Sequence, residues 1–154
     1  MKDLKQRLLI EQVDRKLSVF SSLKSFNVPE KGWIHTIRTA LKMTLRQFGQ
    51  RLDINPSSAK NIEKREKEGA ITLRALREAA SALDMQLVYG FIPTDGSLEA
   101  MIEKKAEELA TQIVQRTSQT MNLEDQGNSQ ERIKNAIKQQ MEELKYELPR
   151  TLWD

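Results

Sequence analysis

The stretch of residues 44–66 constrains the fold of this chain more than any other part of its sequence. Thr44 followed three residues later by Gln47 is the pattern of a capping box, which begins a helix. Asn55 followed by Pro56 marks a second beginning, because Asn caps free N–H groups and Pro has no N–H to leave unpaired. The two beginnings are so close that the sequence predicts two short helices joined by a tight turn at residues 53–55.

Most of the remaining chain has apolar residues at helical spacing. They recur three and four positions apart, with charged residues between them, within residues 3–24, 33–42, 73–83, 97–114 and 129–148. The pattern changes at 85–92, where side chains alternate until Pro93 ends the run, and this predicts one short β-strand. A single strand needs a hydrogen-bonding partner in this chain or in a second copy. The predicted fold class is therefore mainly all-α.

Breaks in these patterns divide the chain into three segments. Pro29 and Gly32 interrupt the first helical pattern, and residues 121–128 have the composition of a linker between the last two helices. We therefore expect an N-terminal helix over residues 1–27, a central domain over residues 28–93 that ends in the strand, and a C-terminal helical extension over residues 94–154.

The composition excludes several classes of protein. The chain has no cysteine, which excludes disulfides, a thiol nucleophile and cysteine-ligated zinc. No stretch approaches the roughly 18 apolar residues of a membrane span, and no signal peptide is readable, so we expect a cytoplasmic protein that is not bound to a membrane.

Charge is distributed unevenly along the chain. The formal charge is +3 over residues 1–32, +4 over residues 33–92 and −4 over residues 93–154. The net positive charge of residues 1–92 indicates an anionic partner for that part, and the net negative charge of residues 93–154 indicates a different role for them. The alternative is a mixed solvated surface, which also explains net charges this small.

The central segment has the features that a helix-turn-helix needs. Gly49 is expected where the second helix crosses the first, and Ile54 is expected to fill the corner of the turn. The pattern Thr44-x-x-x-Phe48-Gly49-x-x-Leu52-Asp53-Ile54-Asn55 with Ile62-Glu63 resembles the Cro/C1-type (XRE) helix-turn-helix. Asp53 departs from the usual Gly of that family, and Leu45 departs from a Gln that often contacts DNA.

A narrower resemblance covers nearly the whole chain, to the family called mobile mystery protein A. Its residues include Gly32-Trp33-Ile34-x-x-Ile37-Arg38-x-Ala40-Leu41-x-Met43-Thr44, Glu63-x-x-Glu66-x-x-Gly69-x-Ile71-Thr72-Leu73, Ala79-Ala80-x-Ala82-Leu83-Asp84-x-x-Leu87-Val88-Tyr89 and the terminal Leu152-Trp153. This resemblance implies a DNA-binding regulator that is encoded on mobile elements beside a Fic-domain protein, and hence an antitoxin-like role.

The second helix of the turn is the predicted base-reading element. It presents polar side chains outward, and hydroxyl, amide and ammonium groups are suited to hydrogen bonds with base edges in the major groove. The predicted base-reading residues are Ser57, Ser58, Lys60 and Asn61. The alternative is that these residues form an ordinary solvated helix face.

Basic residues near the same helices are the predicted phosphate contacts. A helix N-terminus combined with cationic side chains favours phosphate. The predicted set is Arg38, Lys42, Thr44, Arg46, Lys64 and Arg65, with Lys67 a weaker candidate. The alternative is ordinary surface charge.

No enzymatic site is predicted. The resemblance gives Glu63 a structural role, with Arg38 or Arg51 as its partner, and the only histidine, His35, has no ligand set near it in the sequence. We therefore expect no catalytic residue, no metal and no cofactor.

The predicted function is sequence-specific binding of double-stranded DNA by a transcriptional repressor of its own gene that acts as a homodimer. The alternative is an antitoxin-like module that binds a co-encoded Fic-domain protein through its C-terminal helices. The inhibitory pattern of Fic-regulating antitoxins is absent, because Glu68-Gly69 has Lys64 where a hydroxyl residue is needed.

Overall fold

The computed structural model describes residues 2–121 and 130–154, and within these ranges the chain is mainly helical, as predicted. Most of the predicted linker and the predicted helix start at Ser129 lie outside the described residues. Two short 3-10 helices, Ser21–Leu23 and Arg150–Trp153, accompany the α-helices. The described α-helices are α1 (Lys2–Ser18), α2 (Trp33–Ala40), α3 (Leu45–Leu52), α4 (Pro56–Glu68), α5 (Leu73–Ala82), α6 (Leu98–Met121) and α7 (Gln130–Glu147).

The chain divides into two compact units. The central unit is Ser25–Tyr89 and contains α2 to α5. The terminal unit combines Met1–Lys24 with Gly90–Asp154, so α1 shares a unit with α6 and α7. The first and last segments of the sequence therefore pack together, and the residues that separate them along the sequence form the central unit.

The helix starts of the central unit follow from their capping residues. Thr44 and Gln47 form the predicted capping box at α3, and the Asn55 side chain accepts a hydrogen bond from the Ser58 N–H at the start of α4. Thr72 caps α5 in the same way. The helices enclose a small core of buried apolar residues: Ile34, Phe48, Ala59, Ala79 and Leu83.

The predicted strand is not found in the single chain. Residues 85–93 have no regular secondary structure, and no β-strand occurs within residues 2–121 and 130–154. The alternating pattern describes side chains only, whereas a strand also requires a second segment to complete its backbone hydrogen bonds. No described segment of this chain pairs with residues 85–93.

The terminal unit is built on the packing of α6 against α7, with α1 also packed on α6. Its buried core consists of Ile102, Ala106, Ala110, Leu144 and Leu152. Leu152 belongs to this core, whereas its neighbour Trp153 is 48% exposed.

A carboxylate on α1 caps the start of α6. Asp14 accepts hydrogen bonds from the backbone N–H of Leu98 at 2.7 Å and of Glu99 at 3.3 Å. The Ser97 hydroxyl oxygen accepts a further hydrogen bond at this helix start, from the Ala100 N–H at 3.0 Å. None of the helices in the described ranges has the length and apolar character needed to cross a membrane.

Candidate nucleic-acid interface

The connection between α3 and α4 is three residues long and tightly folded. Asp53 adopts a left-handed conformation with φ of 58°, and the Ile54 N–H then returns to the Gly49 carbonyl at 2.9 Å. A Cβ on Gly49 would lie 2.7 Å from the Ile54 carbonyl oxygen. Gly49 therefore makes room for the backbone of the turn, and not for the following helix as the sequence had indicated.

Helix α4 has an inner face and an outer face. Ala59 is fully buried, and Ile62 and the turn residue Ile54 pack against the same core. Because helix positions three and four apart share a face, these contacts turn the polar residues between them outward. The four predicted base-reading residues, Ser57, Ser58, Lys60 and Asn61, are all exposed.

Glu63 ties the inner face of α4 to α2. Its carboxylate pairs with the Nε and Nη2 atoms of Arg38, and its Oε2 lies 3.1 Å from His35 Nδ1. Arg38 also donates from Nη1 to the Met43 carbonyl at 2.8 Å. Arg38 and Glu63 are both buried. Of the two predicted partners of Glu63, Arg38 and Arg51, the structure pairs Arg38 with it. Arg51 instead pairs with Asp84.

The location of Arg38 does not suit its predicted role in phosphate binding. Only 9% of the residue is exposed, and its guanidinium donates to groups within the chain. A charge pattern in a sequence does not distinguish a buried arginine from a surface one. Arg38 is therefore a core residue that holds α2 and α4 together.

An open groove of about 580 Å³ runs beside α4. Ser57, Ser58, Lys60, Asn61 and Lys64 line it, so five of the predicted DNA contacts share one surface. Arg65 is exposed on the same helix but does not line the groove. Lys64 forms an ion pair with Glu68 at 4.0 Å, which is a weak contact between exposed groups.

The remaining predicted phosphate contacts lie around the start of α3. Lys42, Thr44 and Arg46 are exposed there, and the Thr44 hydroxyl oxygen accepts from the Gln47 N–H at 3.1 Å. Lys42 lines a separate depression together with Gln47. The cationic surface of the central unit thus has two parts, one beside α4 and one at the start of α3.

No family model, curated protein or solved structure matches this chain. The resemblances to the Cro/C1-type helix-turn-helix and to mobile mystery protein A therefore stay predictions that depend on the quoted residues. The geometry of α3, α4 and their connection is an observation that does not depend on these resemblances.

Glu66 is a structural residue whose role the sequence did not predict. Its carboxylate accepts from the backbone N–H of Trp33 at 3.1 Å and of Ile34 at 2.8 Å, so it caps α2 from the end of α4. Gly32 permits this approach: its φ is 85°, and a Cβ there would lie 2.8 Å from Glu66 Oε1. The three-residue spacing between Glu63 and Glu66, which places both on one helix face, was the available signal.

Two residues of the groove, Lys31 and His35, are absent from the predicted contacts, and a third, Lys67, is only a weaker predicted phosphate contact. Lys31 lies just before α2, His35 lies in its first turn, and Lys67 lies near the end of α4. Residues 31 and 35 are distant from α4 in sequence, so only the fold brings them to the groove.

Proposed function

We propose that the central unit is a helix-turn-helix domain of the Cro/C1 type and that the protein represses transcription by binding specific double-stranded DNA. The observation that supports this most directly is the arrangement of α3 and α4. Two short helices are joined by a tight three-residue turn, and the second helix is anchored by its inner face while its polar outer face is exposed. This is the arrangement in which a recognition helix enters the major groove.

The outer face of α4 supplies the chemistry for reading bases. The Asn61 amide both donates and accepts, which suits adenine, and the Lys60 ammonium suits the acceptor atoms of guanine. Ser57 and Ser58 lie in the first turn of α4, the end of a recognition helix that contacts base edges. The proposed base-reading residues are therefore Ser57, Ser58, Lys60 and Asn61, which line the groove along the first half of α4.

Phosphate binding is assigned to exposed cations in both parts of the cationic surface, at the start of α3 and beside α4. Lys42 and Arg46 flank the start of α3, and Lys64 and Arg65 follow the base-reading residues on α4. The Thr44 hydroxyl already caps α3 and contributes mainly by ordering that helix start. Arg38 is left out of the proposed contacts because its charge is used inside the unit.

A homodimer completes the proposal, since a dimer places two recognition helices about 34 Å apart, one turn of DNA. Residues 85–92 carry no charged side chain, and Val88, Tyr89 and Phe91 are each more than half exposed. Antiparallel pairing of this segment with its copy would supply the missing strand partner. Sedimentation at micromolar concentration is expected to show a dimer, and a monomer with and without DNA would exclude this part of the proposal.

Alanine variants test base reading directly. Lys60→Ala and Asn61→Ala are each expected to lose about 1–3 kcal/mol of preference for the promoter of the protein's own gene over unrelated DNA. Arg46→Ala is expected to weaken binding evenly across sequences and to reduce its salt dependence. Lys138→Ala, which removes an exposed lysine from α7, is the matched control and is expected to bind as the wild type does.

Fluorescence anisotropy at fixed salt with labelled promoter and unrelated duplexes would measure both effects. Unchanged sequence preference in both α4 variants would show that α4 is not the recognition helix. Equal loss in the Lys138 control would show that the effect is general charge and not readout. The proposed location is cytoplasmic, because the proposed target is chromosomal DNA.

The terminal unit supports a second candidate function, the binding of a partner protein. Ile113, Val114 and Ile133 line a depression of about 410 Å³ between α6 and α7, in the acidic part of the chain. An antitoxin-like role, in which a co-encoded Fic-domain protein binds this depression, follows from the family resemblance. Co-purification of the two proteins should be lost in Ile133→Lys while promoter binding is kept, and retained co-purification would exclude this surface.

A further inference from the structure

The groove beside α4 has a second wall, which α4 does not supply. Lys31 and His35 line it from the start of α2, opposite the face that carries Lys60, Lys64 and Lys67. If α4 lies in a DNA groove, as the proposed function requires, this wall faces the same DNA. Four lysines converge here, and the only carboxylate among the lining residues, Glu63, is already paired with Arg38.

His35 is held in a defined orientation on this wall. Its Nδ1 lies 3.1 Å from Glu63 Oε2, and a carboxylate paired with arginine can only accept, so Nδ1 carries a proton. In the neutral ring, Nε2 then has a lone pair and no proton to donate. Among the described residues, Nε2 has no hydrogen-bond partner, and the side chain is 30% exposed.

We propose that Lys31 and His35 bind the phosphate backbone of DNA from this second wall, His35 as an imidazolium. Phosphate oxygens only accept hydrogen bonds, so His35 Nε2 contacts one only after a proton from solvent has been added to it. Nδ1 keeps its bond to Glu63, and the cation formed lies between that carboxylate and the phosphate. DNA binding at this wall therefore takes up one proton, and this inference rests on the proposed function.

The charges around this wall suit an anionic ligand. Lys31, Lys60, Lys64 and Lys67 line the groove together with His35. The two nearby carboxylates already have partners, because Glu63 pairs with the buried Arg38 and Glu66 accepts from the backbone of α2. A phosphate in the groove would offset the repulsion between these lysines.

His35 is the only histidine of the chain, so its ring can be observed without overlap. Nitrogen NMR of the ring in the full-length protein reports directly whether Nδ1 and Nε2 each carry a proton. Addition of a mixed-sequence duplex of about three helical turns is expected to shift both ring nitrogens to imidazolium values. A ring that stays neutral in the complex would overturn the proposal.

Binding measured against pH gives a second, independent readout. At constant ionic strength, the apparent Kd of the wild type should rise as the pH is raised, with a slope of at most about tenfold per pH unit for one proton. His35→Asn keeps an N–H near the position of Nδ1 for Glu63 but has no counterpart of Nε2. It should remain folded and bind with a flatter pH profile.

Lys31→Ala should lower the slope of log Kd against log salt by about one, the effect of one phosphate contact. An unchanged pH profile in His35→Asn, or an unchanged salt slope in Lys31→Ala, would overturn the corresponding contact. These outcomes differ from failure of the proposed function, since Lys60→Ala and Asn61→Ala would still lose sequence preference. If the protein bound no duplex at any pH, both the function and this inference would be wrong.

Discussion

Removing the carboxylate of Glu63 is expected to destabilise the central unit strongly. Glu63→Ala takes away the carboxylate that pairs with Arg38, and it also removes the partner of His35 Nδ1. Arg38 is 9% exposed and its Nη1 is bound to the Met43 carbonyl, so it does not reach solvent without breaking the end of α2. The variant therefore leaves an uncompensated cation in the core.

The size of the effect follows from this burial. Removing one partner of a buried ion pair costs about 3–5 kcal/mol, because the remaining charge stays desolvated. For a domain of 60–100 residues, each kcal/mol lowers Tm by about 4–8 °C. A loss of about 3 kcal/mol therefore predicts a fall in Tm of roughly 12–24 °C.

The double variant Arg38→Met with Glu63→Leu tests this reasoning most directly. It removes both charges and should recover most of the loss, since apolar residues of similar volume replace buried ion pairs at little cost. It still lacks the bond to the Met43 carbonyl, which contributes about 1 kcal/mol. Glu68→Ala on the same helix is the control and should cost less than about 0.5 kcal/mol, because Glu68 is exposed.

Tryptophan fluorescence during thermal unfolding separates the two units. Trp33 reports on the central unit, and Trp153→Phe removes the second tryptophan at a half-exposed position of the terminal unit. A loss below about 1 kcal/mol for Glu63→Ala would refute the reasoning. So would a double variant as unstable as the single one, because the damage would then not come from the unpaired charge.

Two further predictions concern single contacts. Gly49→Ala should lower the free energy of unfolding by about 1–3 kcal/mol, because the added methyl group overpacks against the Ile54 carbonyl despite the better helix propensity of Ala. Gln50→Ala, at an exposed position of the same helix, is the control and should be neutral. If denaturant unfolding shows Gly49→Ala to be as stable as the wild type or more so, the close approach at Gly49 is contradicted. Asp14→Ala should lose about 1 kcal/mol of stability at the start of α6. The loss should appear as faster hydrogen exchange at the amides of Leu98 and Glu99, and Asp14→Asn should be affected less. Unaltered exchange at both amides would show that this cap does not stabilise the helix.

Local signals in the sequence were sufficient for the helix starts of the central unit. The caps at Thr44, Asn55 and Thr72 each act within three residues of their own position, so the sequence alone contains both partners. The polar side chains of α4 were predicted to point outward, and Ser57, Ser58, Lys60 and Asn61 are exposed. These features are decided by neighbours along the chain, which is why they could be predicted.

Contacts between distant residues could not be predicted in the same way. The burial of Arg38, the capping of α2 by Glu66 and the location of Lys31 in the groove each depend on how α2 packs on α4. The prediction of a strand at 85–92 was wrong for a different reason. Its alternating side chains fit a strand, but no described part of the single chain supplies the partner backbone.

The pairing of α1 with α6 has a consequence for synthesis on the ribosome. The bond from the Leu98 N–H to Asp14 joins residues 84 positions apart. At roughly 5–20 residues per second, α1 waits about 4–17 s for the partner that it will contact. An isolated helix of this length is marginal in water, and Leu4, Leu8 and Leu9 remain largely uncovered even after folding. The whole of Ser25–Tyr89 is synthesised during that interval, so the central unit is complete while α1 still lacks its partner α6 and is accessible to chaperones.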